Sequence, residues 1–169
     1  MSHLFDRQIA ALAEVASLFD SRGFDHWLFG GWAVDFHVGA VTRSHGDIDV
    51  AVWGDDAEAI HSALRANGWE HTPAADEDGG TGYARDGVRV ELTYLARSES
   101  GEVFVVLRDR NVLWTECPLG DGVLGLNGAY IRVIPLALLK DGKSRSRDDP
   151  AEAALDRADF DALSRLPPK

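Results

Sequence analysis

Sulfur is scarce in this chain, with one cysteine (Cys117) and one methionine among 169 residues. A single thiol excludes an internal disulfide framework, and Cys117 beside Pro118 reads as a bystander. Positive charge is also short. Seventeen Lys and Arg stand against 28 Asp and Glu, a formal net charge of −11, and the sequence pI is about 4.8. Nucleic-acid binders need basic grooves, so no DNA or RNA partner is expected, whereas such a surface suits a cationic small molecule. No apolar run reaches membrane-spanning length, and we find no secretory or lipidation motif. The expectation is therefore a cytoplasmic protein with no membrane partner. Internal repeats and low-complexity tracts are missing too. What is present is ordinary globular composition, 45% hydrophobic and 27% charged, enough for one domain or one domain with a small appendage.

Apolar residues at three- and four-residue steps (Leu4, Phe5, Ile9, Leu12, Val15, Leu18, Phe19) predict an amphipathic helix over 3–22, ended by Gly23. A short apolar strand follows at 26–29, then a helix from Trp32 to Val38. Further strands are expected at 47–53, 69–71 and 103–107, with a helix over 56–67 between the first two. Asp86-Gly87 and Asn127-Gly128, each between strand-like runs, predict two tight hairpins. Pro135 opens a helix through about Lys140, and Asp149-Pro150 caps and starts a last helix through about Leu163. The sum is α+β: a mixed, twisted sheet with flanking helices. We expect residues 1–134 to form the core and 135–169 a C-terminal helical appendage packed on it.

The densest signal is Asp47-Ile48-Asp49. Two carboxylates at i and i+2 on a strand share one side of the sheet, about 6.5 Å apart along the backbone. Adjacent like charges repel, and a divalent metal removes that objection; Mg²⁺ takes carboxylates and completes its shell with water and phosphates. Upstream, Gly30-Gly31 lies between the strand at 26–29 and the next helix, where backbone can approach a phosphate and helix N–H groups can face it. Within Val88–Leu95, alternation puts Arg89, Glu91 and Thr93 on one face. If that strand pairs beside 47–53, Glu91 joins Asp47 and Asp49, making a two-metal site suited to in-line phosphoryl displacement. Glu91 then fits the role of base for the attacking hydroxyl. Together these residues point to chemistry on a nucleotide.

Asp35 reads as a packing or capping group. Arg43 is expected either to hold the loop or the phosphates, or to neutralise Asp35 or Asp47; His45 is expected to act as a loop hydrogen-bonder. Asp76-Glu77-Asp78 is either a solvated loop or an acidic rim for ammonium groups. Tyr83 and Trp114 are core aromatics unless they stack on an adenine or a sugar.

The blocks Gly30-Gly31-Trp32-Ala33-Val34-Asp35 and Thr42-Arg43-Ser44-His45-Gly46-Asp47-Ile48-Asp49 resemble the signature of antibiotic nucleotidyltransferases in the DNA polymerase β-like superfamily. The match is to the small lincosamide and aminoglycoside 2″-nucleotidyltransferases. It is dense over 27–53, weaker at Glu91, and extends to Asp156-Arg157-Ala158-Asp159 near the C-terminus. The resemblance implies transfer of a nucleoside monophosphate, AMP from Mg-ATP or another NTP donor, to an antibiotic hydroxyl with release of pyrophosphate. It carries over Gly30 and Gly31 as phosphate-loop residues, Asp47, Asp49 and Glu91 as ligands to two Mg²⁺ ions, and Arg43 or His45 as loop or phosphate holders. Glu91 stands where the aminoglycoside relatives have Asp, and Leu155 where a lysine is expected, so Lys140 or Lys143 is assigned the compensating charge. The acceptor pocket is either open or completed by a second subunit in a homodimer. Two alternatives stand beside this reading: nucleotidylation of a protein partner, and a non-catalytic nucleotide-binding module on the same fold.

Overall fold

The computed structural model describes residues 3–73 and 78–167. Helix α1 (His3–Arg22) leads into strand β1 (His26–Phe29), helix α2 (Gly30–Val38) and strand β2 (Ile48–Trp53). A single 3-10 turn (Gly54–Asp56) and helix α3 (Ala57–Ala66) precede β3 (Glu70–His71), β4 (Gly80–Arg85) and β5 (Val88–Arg97). Then come β6 (Val103–Val106), β7 (Asn111–Thr115), β8 (Val123–Leu126) and β9 (Ala129–Arg132), and helices α4 (Leu136–Lys143) and α5 (Pro150–Ser164) close the chain.

Seven strands form one mixed sheet in the order β1-β2-β5-β4-β3, with β6 and then β7 added beside the C-terminal part of β5. β2 and β5 run parallel and every other pair is antiparallel. The parallel pair needs a crossover, which the segment from the 3-10 turn through β4 supplies. Flanked by β1 and β5, β2 buries Val50, Ala51 and Val52 in succession, as expected for a strand covered on both faces. α1 presents Ala11, Leu12, Val15, Ala16 and Phe19 to the core at helical spacing. The hairpin β8–β9 packs under α1, and an isolated bridge between Leu28 and Val133 ties it to β1.

The α+β architecture and its mixed sheet agree with the sequence reading. Both tight hairpins form, with Asp86-Gly87 at φ 52° and 80° and Asn127-Gly128 at 49° and 84°, the left-handed pair that a type I′ turn requires. Three differences bear on the site. α2 starts directly at Gly30, because that residue turns the chain at φ +69° straight off β1. α4 runs on through Gly142 to Lys143, a turn past the expected end, where Lys143 is anchored by ion pairs to α5. β7 was not anticipated: its residues Asn111-Val112-Leu113 are exposed, so no alternation marks it, and pairing to β6 makes it a strand. α5 begins as expected, with the Asp149 side chain accepting from the amides of Ala151 and Glu152.

Candidate active site

The strand register brings the acidic residues together. Asp49 on β2 is the direct cross-strand partner of Glu91 on parallel β5, and Asp47 lies two residues upstream on the same side. One carboxylate oxygen from each of the three falls within 4.8 Å of the others, a spacing that fits divalent cations with oxygen ligands. Burial, reinforced by the charges of Asp47 and Glu91, pushes the Asp49 carboxyl up to about 8, against the pull of Lys143 and Arg147. Glu91 is also raised, by burial and by Asp47, while Arg89 opposes the rise. Arg89 donates to Glu91 Oε1 at 2.9 Å. Carboxylates held this close have the donor set and the charge deficit that a divalent cation would satisfy.

The glycine pair explains how the other walls reach this trio. A Cβ on Gly30 would lie 3.0 Å from Asp49 Cγ and would overlap its Oδ2, so the carboxylate rests directly on backbone. A Cβ on Gly31 would lie 2.6 Å from His45 Nδ1 and would overlap the Arg43 guanidinium. Glycine at both positions therefore lets the loop 39–47 close against the N-terminal end of α2, whose first residues Gly30 and Gly31 line the cleft.

That loop is anchored by Asp35, which is fully buried. Its Oδ1 accepts from the Thr42 amide at 3.1 Å and the Thr42 hydroxyl at 2.6 Å, and its Oδ2 contacts His45 Nε2 at 2.6 Å. Gln8 on α1 donates to the His45 carbonyl at 2.9 Å, and the Trp32 and His45 rings lie 4.6 Å apart. Asp35 is thus a structural anchor. His45 is a buried loop hydrogen-bonder whose Nδ1 lies toward Gly31 and the cleft lining.

Arg43 makes no direct ion pair with Asp35 or Asp47, although, after its hydrogen bonds to Asp159, the nearby Asp35 charge helps raise its pKa. It makes a bidentate pair with Asp159 on α5, 2.9 Å to each oxygen. Lys143 bridges Asp156 at 3.0 Å and Asp159 at 2.9 Å, and Arg147 reaches Asp156 at 2.8 Å and Glu152 at 2.7 Å. Burial raises the Asp159 carboxyl, but the hydrogen bonds from Arg43 and Lys143 outweigh it and hold the group below its ordinary value. This network fastens α4, α5 and the 39–47 loop around one cleft of about 530 Å³. Gly30, Gly31, Arg43, His45 and all three carboxylates line it. Lys140 is not among its lining residues; Lys143 and Arg147 supply the cationic wall instead, with Leu155 at its rim. No local signal separates Lys143 from Lys140, because its partners Asp156 and Asp159 sit on a different helix, α5. Tyr83 is buried and hydrogen-bonded to His61, whereas Trp114 lines the cleft. Asp76 and Glu77 lie outside the described residues, and Asp78 accepts from the Arg108 amide at 2.6 Å.

A mixed sheet with flanking helices in this order is the fold of the polymerase β-like nucleotidyltransferases. Solved structures share it. The lincosamide antibiotic adenylyltransferase LnuA with bound lincomycin is 18% identical at a TM-score of 0.72, covering 92% of this chain and 96% of that one. ANT(2″)-Ia in complex with adenylyl-2″-tobramycin is also 18% identical, at a TM-score of 0.68 and coverage of 93% and 90%. Residues 11–120 match the family model for aminoglycoside-2″-adenylyltransferase, and the chain belongs to that family. Among curated proteins, a 2″-aminoglycoside nucleotidyltransferase from Escherichia coli is 38% identical over 60 residues, 34% of each chain. One from Klebsiella pneumoniae is 30% identical over 69 residues, 41% of this chain and 39% of its own length. The matched stretch thus spans little more than a third of these curated relatives.

Proposed function

We propose that this chain transfers a nucleoside monophosphate, AMP from ATP, to a hydroxyl of an aminoglycoside or lincosamide antibiotic and releases pyrophosphate. The observation that carries the reading is the Asp49–Glu91 register, which sets three carboxylates beside a glycine-led helix N-terminus. Asp47, Asp49 and Glu91 would hold Mg²⁺, which would supply the positive charge that a triphosphate and its departing pyrophosphate need. Gly30 and Gly31 at the start of α2 line the part of the cleft where the phosphates would lie. Arg43, Lys143 and Arg147 line it too. Each is already ion-paired with Asp159, Asp156 or Glu152, so the phosphates would share these cations with the carboxylates of α5. Glu91, which accepts one hydrogen bond from Arg89 at Oε1, is the carboxylate of the three that would take the hydroxyl proton. A bond forms from the acceptor oxygen to the α-phosphorus, the bond to the bridging oxygen breaks, and pyrophosphate leaves on the opposite side.

The matched relatives are named for aminoglycosides, and the structural neighbours hold lincomycin and a tobramycin adduct; these two antibiotic classes define the acceptors proposed. Among the described residues no helix is long and apolar enough to cross a membrane. A cytoplasmic setting, where nucleoside triphosphates are available, belongs to the same reading. The test is pyrophosphate release from Mg-ATP and Mg-GTP against a panel of aminoglycosides and lincosamides, with mass spectrometry of the acceptor. A product heavier by one nucleotide, lost in Asp49→Ala, supports the reading; release that ignores every antibiotic refutes the proposed acceptor class.

A further inference from the structure

The cleft has an apolar wall that the phosphate and metal chemistry leaves unused. Of the five tryptophans in the chain, Trp27, Trp32 and Trp69 are buried, and Trp53 packs against Trp27 and Arg97. Trp114 is partly exposed and lines the cleft. Its ring meets Phe29 at 5.6 Å between centroids with the planes at 72°, so an orthogonal partner buttresses it and fixes its orientation. Ile134, Leu138 and Leu139 extend the same apolar lining.

The register decides what this wall can hold. Phe29 pairs with Asp49, and Asp49 pairs with Glu91. With neighbouring strands about 4.8 Å apart, Phe29 and Glu91 lie on opposite sides of Asp49, about 10 Å from each other. The acceptor hydroxyl must reach Glu91 on β5; β7 joins the sheet through β6 and β5, but the Trp114 ring packs on Phe29 of β1, across Asp49 from Glu91. The phosphates belong to the α2 amides and the cations Arg43, Lys143 and Arg147. The part of the donor still without a counterpart is its planar, weakly polar base, and the surface still without a ligand is Trp114 with its apolar neighbours. We propose that Trp114 is the stacking platform for the nucleobase of the donor nucleotide. This rests on the nucleotidyl-transfer reading and assigns the site a base-binding residue on β7.

The experiment measures binding of Mg-ATP and of Mg-tripolyphosphate, which has the phosphates and no base, to wild type, Trp114→Ala and Trp114→Phe by titration calorimetry. Steady-state KM for the acceptor is measured alongside. Loss of base stacking should weaken Mg-ATP roughly 5- to 100-fold in Trp114→Ala. Mg-tripolyphosphate should bind unchanged, Trp114→Phe should recover most of the ATP affinity, and the acceptor KM should stay near wild type. Equal weakening of ATP and tripolyphosphate would assign Trp114 a purely structural role and overturn the proposal. A rise confined to the acceptor KM would move the platform to the antibiotic and overturn it as well. If wild type binds neither ligand, the nucleotide reading itself falls, and this assignment with it.

Discussion

Replacing Asp49 with Asn tests the charge crowding at the centre of the site. In the metal-free protein burial and the neighbouring carboxylates push the Asp49 carboxyl up to about 8, from an ordinary value of 3.8. Its folded affinity for a proton is raised above the unfolded one. Between these values the native chain therefore holds a proton that the unfolded chain has released, and stability falls as pH rises. The loss is absent below about pH 4 and complete once pH has passed through about 8. A shift of this size corresponds to an upper bound on the order of 5 kcal/mol. Water entering the open cleft and rotation of Asp47 and Glu91 relieve part of it, so we expect Asp49→Asn to gain about 1–3 kcal/mol at pH 8.5. For a chain of this size that is roughly 2–10 °C in Tm. The assay is thermal unfolding of both proteins in chelator at pH 5 and at pH 8.5. The gain should be small at pH 5 and largest at pH 8.5. Added Mg-ATP should then raise the wild-type Tm at pH 8.5 and leave Asp49→Asn nearly unmoved. A variant gain that is equal at both pH values, or larger at pH 5, would refute the reasoning.

Glu91→Gln keeps the shape of the site and removes the proton acceptor; turnover should drop at least about 100-fold while calorimetric binding of Mg-ATP stays within a few-fold of wild type. Gly30→Ala forces a left-handed backbone and drives a methyl into the Asp49 carboxylate, so urea unfolding should show a loss of about 2–4 kcal/mol together with weaker nucleotide binding. Lys143→Met leaves Asp159 paired with Arg43 and Asp156 paired with Arg147. Nucleotide KM should rise about tenfold or more with a stability loss near 1–3 kcal/mol, whereas Lys140→Ala should leave nucleotide KM unchanged; equal effects of the two substitutions would reverse the assignment of the cationic wall.

Much of this site is local in sequence, and that part was legible. Gly30-Gly31, Asp47 and Asp49 lie within 20 residues of one another, bounded by an apolar strand and an apolar helix whose periodicities are plain. Asp86-Gly87 and Asn127-Gly128 announce their hairpins because few other dipeptides adopt the left-handed turn. The strand β7 was hidden, since a run that is mostly exposed carries no alternation. The end of α4 differs because Gly142 disfavours helix locally, while the Ser144 amide on the Lys140 carbonyl and the ion pairs of Lys143 to Asp156 and Asp159 carry the last turn to Lys143.

By itself the sequence determined the α+β class, the glycine-led helix and the Asp-x-Asp pair, because each is set by contacts between near neighbours along the chain. It also aimed Glu91 at one face of its strand. Tertiary structure alone decided the rest. The parallel register sets Glu91 beside Asp49, and Asp35 is drawn inward to lock the Thr42–His45 loop. Arg43 is handed to Asp159, 116 residues away, and Trp114 rather than Tyr83 is brought to the cleft. Those outcomes depend on which distant groups can be desolvated together at least cost, a balance of burial, charge and hydrogen bonding that exists only once the chain has closed on itself.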